Sequence, residues 1–135
     1  MAKASILVIE DNPDNLDLVR FLLEQSEYEV LSATDGRQGL QLAQQMHPEM
    51  ILLDMSLPEI DGWTLARQLK ADPETAGILV VALTAHALPG DRKKALDAGC
   101  DGYITKPLDV PNFISVVATY LRKRKPLSQT GSLML

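Results

Sequence analysis

The sequence predicts an α/β protein, a parallel sheet with helices packed on both of its faces. Three observations predict it. Met50-Ile51-Leu52-Leu53 and Ile78-Leu79-Val80-Val81-Ala82-Leu83 are continuous apolar runs, and each reads as a strand covered on both sides. Strand-like and helix-like stretches alternate through five cycles, the pattern of parallel strands joined by right-handed crossovers. Four of the five strands end in a polar group, on the edge where such sheets carry their chemistry. The alternation alone leaves the strand order open.

The first strand is Ser5-Ile6-Leu7-Val8-Ile9, and it runs into Glu10-Asp11. Asn12-Pro13-Asp14-Asn15 turns the chain and caps a helix. From Leu16 to Glu24 the residues Leu18, Phe21 and Leu22 fall at helical spacing, with Val19 and Leu23 widening the apolar face. Tyr28–Ala33 is a more polar strand, suited to a sheet edge. Asp35-Gly36 could signal a hairpin, but Gly39, Leu42, Ala43 and Met46 follow at helical spacing, so a second helix is expected. His47-Pro48 stops it. The third strand ends at Asp54, and Ser56–Gly62 is a loop. The third helix points Leu65, Ala66 and Leu69 inward, leaves Trp63 out of phase, and closes at Asp72-Pro73-Glu74. The fourth strand ends at Thr84; Pro89 opens the fourth helix and Gly99 ends it. Asp101–Thr105 is a short fifth strand before Lys106-Pro107. The last helix carries Phe113, Val116, Val117, Tyr120 and Leu121 on one stripe.

The chain has 135 residues, of which 46% are hydrophobic, enough for one domain with an ordinary core. No apolar run approaches the roughly 18 residues that suggest a membrane span, and the start shows no cleavage-site pattern, so a cytoplasmic protein is expected. Cys100 is the only cysteine, which excludes an internal disulfide and a thiolate metal cluster. Its small-residue surroundings read as buried packing rather than a reactive thiol. A net charge of −5 argues against nucleic acid as the main partner. Arg122-Lys123-Arg124-Lys125 fits better as cations at a helix C-terminus than as a DNA contact.

In a parallel sheet the strand ends lie along one edge, so Glu10, Asp11, Asp54, Thr84 and Lys106 are expected to meet there. Each has an ordinary explanation alone: turn chemistry for the acidic pair, β-propensity for the threonine, solvation for the lysine. The conjunction is what points to a site. Carboxylates about 4 Å apart repel by about 4 kcal/mol per pair at an effective dielectric of 20. One lysine cannot balance three of them. All-oxygen ligands select a hard divalent cation, first of all Mg²⁺, which favours carboxylates together with a phosphoryl oxygen. That combination suggests phosphoryl chemistry with a carboxylate as the nucleophile. On its own, Asp54 could equally be a metal ligand or a catalytic base.

The motifs Ile9-Glu10-Asp11-Asn12, Ile51-Leu52-Leu53-Asp54-Met55 leading to Leu57-Pro58 and Asp61-Gly62, Leu83-Thr84-Ala85, and Gly102-Tyr103-Ile104-Thr105-Lys106-Pro107 resemble, in order and spacing, the receiver domain of two-component response regulators. The resemblance covers about residues 4 to 122. It implies a flavodoxin-like (βα)5 three-layer sandwich with strand order 2-1-3-4-5. Asp54 would accept a phosphoryl group from a sensor histidine kinase or a histidine phosphotransfer protein. Mg²⁺, for which Mn²⁺ could substitute, would be held by Glu10, Asp11, Asp54 and the backbone carbonyl of Ser56. Glu10 departs modestly from the aspartate many members carry. Lys106 and Thr84 would each bind a phosphoryl oxygen, Tyr103 would turn inward as a switch, and the Lys106–Pro107 bond would be cis. Signalling would pass through the surface of the fourth helix, fifth strand and fifth helix to a downstream protein, from a monomer or weak dimer.

Further expectations follow the same reading. Ser56 and His86, each two residues beyond a site residue, would flank the attacking water and tune the lifetime of the modification; an ordinary loop histidine is the plain alternative for His86. Residues 1–122 would form the receiver domain, and 123–135 a basic helix end and short tail with no output domain. An aspartyl-nucleophile phosphatase would carry a second Asp two residues after the nucleophile, where this chain has Ser56. A binding module indifferent to phosphorylation would not need Asp11, Asp54, Thr84 and Lys106 together.

Overall fold

Among the described residues, five strands alternate with five helices, each strand followed by a helix. They are β1 (Ser5–Ile9), α1 (Pro13–Gln25), β2 (Glu29–Ala33), α2 (Gly36–Met46), β3 (Met50–Asp54), α3 (Gly62–Ala71), β4 (Leu79–Thr84), α4 (Pro89–Asp97), β5 (Gly102–Thr105) and α5 (Val110–Lys123). This computed structural model describes residues 4–57, 60–85 and 89–123, without the side chains of residues 89, 91 and 92. His86 and the tail therefore lie outside the described residues. All strand pairs are parallel, and the order across the sheet is β2-β1-β3-β4-β5. The expected flavodoxin-like order is the one found.

The strands are apolar throughout because both faces are covered. Leu7, Ile9, Ile51, Leu53, Val80 and Ala82 face a core closed by α2, α3 and α4. Ile6, Val8, Met50, Leu52, Val81 and Leu83 face a second core closed by α1 and α5. Neighbouring residues in a strand point to opposite faces, so one apolar run supplies both layers. β2 is more polar because it sits at the edge.

Three helices begin on side-chain caps. Asn12, Asp35 and Asp61 accept from the backbone N–H groups of Asn15, Gln38 and Thr64 at 3.0, 2.8 and 2.8 Å. Gly99, at φ +95°, ends the turn after α4, where a side chain would also strike Lys70.

The inner face of α1 differs from the spacing expected. Leu16, Val19 and Leu23 are buried, whereas Leu18 is 39% and Phe21 57% exposed. Apolar residues surround much of this helix, so periodicity offers two overlapping stripes, and docking on the sheet selects one. Met46 and Val116 likewise face outward at 53% and 36% exposure.

Candidate functional site

Sheet hydrogen bonds carry the key residues to a single edge. Glu10 follows β1 directly, and its N–H donates to the Ala33 carbonyl at 3.0 Å. Asp54 closes β3, and the next N–H, of Met55, donates to the Leu83 carbonyl at 3.0 Å. The Lys106 N–H donates to the Thr84 carbonyl at 2.7 Å, which extends the β4–β5 ladder by one residue. Gly62, at the start of α3, seals the base of Asp54. A Cβ there would lie 2.5 Å from Met55 Cα and 2.8 Å from the Asp54 carbonyl oxygen.

The side chains converge. Lys106 Nζ lies 2.9 Å from Glu10 Oε1 and 3.2 Å from Asp54 Oδ1. One carboxylate oxygen from each of Glu10, Asp11 and Asp54 lies within 4.8 Å of the others. Glu10, Asp54 and Thr84 are buried, and Asp11 is exposed at the mouth. The Ser56 N–H donates to Asp54 Oδ1 at 3.0 Å, and the Asn12 N–H to Glu10 Oε2 at 3.3 Å.

Burial raises the Glu10 pKa to about 6, helped by its hydrogen bond to Asp54 and that residue's charge, and opposed by Lys106. Burial alone would lower the Lys106 pKa. The carboxylates of Glu10 and Asp54 outweigh it, and the net shift is upward, so the ammonium stays charged. Among the described residues, three carboxylates face one ammonium, which leaves the acidic cluster short of positive charge. Its donors are all hard oxygens, which suits a small divalent cation.

The remaining residues named from the sequence fall around this cluster. Thr84 ends β4 opposite Thr105, the neighbour of Lys106. Ser56 is exposed beside Asp54. Tyr103 is half-buried against the core on the α3 and α4 side of the sheet. The Lys106–Pro107 bond is cis. Beside Glu10 and Lys106 opens a cavity of about 160 Å³, also lined by Asn15, Leu18 and Leu108. The roles of two further residues escaped the sequence. Gly62 stands in the Asp61-Gly62 motif at the end of the loop, and the sequence does not show its close approach to Asp54 and Met55. Asp101, placed by the sequence at the start of the fifth strand, has a carboxylate that accepts from Lys70 Nζ at 2.8 Å and from the Val80 N–H at 2.9 Å.

The model of the response regulator receiver domain matches residues 6–118. The polar-differentiation response regulator DivK of Brucella ovis is 42% identical over 117 residues, covering 87% of this chain and 95% of that protein. Among solved structures, the receiver domain of the sensor histidine kinase PA1611 from Pseudomonas aeruginosa PAO1 superposes with a TM-score of 0.82 at 32% identity. It covers 90% of this chain and 99% of its own, and that structure has a magnesium ion coordinated in its active site cleft. A putative response regulator from Chloroflexus aurantiacus J-10-fl gives a TM-score of 0.83 at 26% identity, covering 88% of this chain and 98% of that one. By sequence, sheet order and clustered acidic pocket, the chain belongs to the response regulator receiver domain family of two-component signalling.

Proposed function

We propose that Asp54 is the phosphoacceptor of a two-component or phosphorelay system, taking its phosphoryl group from the phosphohistidine of a sensor kinase or phosphotransfer protein. The observation that carries this reading is a buried carboxylate 3.2 Å from an ammonium, with two more carboxylates at the same mouth. An Asp54 carboxylate oxygen attacks phosphorus in line with the P–N bond. That bond breaks, its electron pair returns to the imidazole nitrogen, and the product is an acyl phosphate on Asp54. The Ser56 N–H, 3.0 Å from Asp54 Oδ1, orients the nucleophile. Lys106 moves from its two carboxylate partners to a phosphoryl oxygen, and the Thr84 hydroxyl binds another.

Glu10, Asp11, Asp54 and the Ser56 carbonyl would hold Mg²⁺, or Mn²⁺ in its place. When bound, the metal neutralises charge on the transferring group. Support comes from the donor set of this chain and from the magnesium site of the Pseudomonas relative. Thr84, drawn toward the phosphoryl group, releases Tyr103 to turn inward. The altered surface of α4, β5 and α5 then engages a downstream protein. Leu96, Val110 and Val116 on α4 and α5, at 51%, 44% and 36% exposure, supply apolar contacts for it. The product stays on the chain, so the output is a conformation rather than a released molecule. Ser56 and His86 set how long it lasts.

The test is incubation with acetyl phosphate and Mg²⁺ followed by intact mass. One labile phosphoryl adduct is expected, absent from Asp54→Asn. A folded wild-type chain that takes no adduct from acetyl phosphate or from a phosphorylated phosphotransfer protein would overturn the reading.

A further inference from the structure

Among the described residues β5 ends the sheet, and one side of it has no strand partner. In a parallel strand the N–H and C=O of one residue point to the same side, and successive residues alternate. Lys106 donates to β4, so Ile104 and Gly102 also face β4, while Tyr103 presents its N–H and C=O to the open edge. One group meets both. The Tyr103 N–H donates to the Tyr120 hydroxyl at 3.2 Å, and that hydroxyl donates to the Tyr103 carbonyl at 3.3 Å. A hydroxyl can give and accept at once, so Tyr120 of α5 stands in for a missing strand at a single residue.

The ring is seated by sequence as well. A Cβ on Gly102 would lie 2.4 Å from Tyr120 Cε1 and 2.5 Å from Cζ, so the bare Gly102 backbone is the bed on which the ring rests. Tyr120 packs with the α1 and α5 core, whereas the Tyr103 side chain packs with the core across the sheet. The contact therefore wraps around the edge and joins the two layers at the residue whose side chain would turn.

We propose that Tyr120 is a positioning residue for the switch, its hydroxyl holding the Tyr103 backbone still so that the Tyr103 side chain rotates about a fixed point. This rests on the phosphoacceptor reading above. Without the hydroxyl, the edge of β5 frays at Tyr103, and the conformational difference between the free and phosphorylated states blurs.

The test compares wild type with Tyr120→Phe, which keeps the ring on Gly102. Amide exchange at Tyr103 should quicken about tenfold, the loss of roughly one hydrogen bond, with core amides such as that of Leu52 unchanged. In chains labelled with fluorotyrosine, the Tyr103 resonance change produced by acetyl phosphate and Mg²⁺ should shrink or broaden, although the Asp54 adduct forms to the wild-type extent. Gly102→Ala, which displaces the ring, should quicken Tyr103 exchange similarly and add little in the double variant. Unchanged exchange at Tyr103 in Tyr120→Phe overturns the contact. Faster exchange with an undiminished fluorine response reduces Tyr120 to an edge cap and overturns the positioning role. A wild type that takes no phosphoryl group defeats the phosphoacceptor reading instead, and the exchange comparison still decides the contact.

Discussion

At the level of single residues, the acidic cluster sets function against stability. Asp54 is attracted by one ammonium and repelled by two carboxylates. Asp54→Asn should therefore stabilise the metal-free chain by about 1–2 kcal/mol, read as a raised urea midpoint. Mg²⁺ should raise the wild-type midpoint and move that of Asp54→Asn less. Cys100 makes a different forecast. It is buried, and burial pushes its thiol from an ordinary 9.0 up to about 11. Alkylation at about pH 8 should be slow until denaturant is added. An acid whose folded pKa is raised contributes its full stability below its unfolded pKa. The contribution falls away between pH 9 and about 11 as the unfolded thiol ionises. Cys100→Ala should lose less stability than wild type across that window, by about 2–3 kcal/mol at its upper end.

At the level of elements, α3 is placed by Asp61 and Gly62 together. The Asp61 side chain caps the helix, and the hydrogen bond its carboxylate accepts from the Thr64 backbone N–H holds the carboxyl below the usual range. Gly62 lets the first turn press on the backbone of Asp54 and Met55. Because backbone cannot fold away as a side chain can, Gly62→Ala should cost about 1–3 kcal/mol and, on the phosphoacceptor proposal, slow adduct formation from acetyl phosphate. Gly77→Ala, where nothing lies within 4 Å of the added carbon, is the neutral control. The other helices show where spacing is an incomplete guide. In α1, Leu18 and Phe21 satisfy the helical period as well as the residues that are buried. Only the position of the sheet separates the two stripes, and spacing along a chain does not contain it.

For the whole molecule, the end of the sheet away from the acidic cluster is tied by Lys70. Its ammonium donates to the Ile78 carbonyl at 2.7 Å, the Ala76 carbonyl at 3.3 Å and the Asp101 carboxylate at 2.8 Å. One side chain thus joins α3, the turn before β4, and the start of β5. Lys70→Met should lower the urea midpoint by the equivalent of about 1–3 kcal/mol, with the m-value unchanged. This tie was not legible in the sequence, where Lys70 is one lysine among several and Asp101 precedes a glycine. Its meaning lies in a contact across 31 residues. The sheet was legible because burial on two faces leaves an unbroken apolar run, and few other structures do. The meeting of Glu10, Asp11, Asp54 and Lys106 was legible for a topological reason. Parallel strands share one direction, so the residues after them share one edge.

Lys106 and Glu10 stand 96 positions apart in the chain yet 2.9 Å apart in space. During synthesis, Asp54 and its acidic neighbours leave the ribosome long before the lysine that balances them. Among the described residues, Lys106 supplies the ammonium beside Glu10 and Asp54, and it arrives with β5. The pocket is thus closed by β5, the last strand among the described residues, and it exists only once the chain from Glu10 to Lys106 has come together.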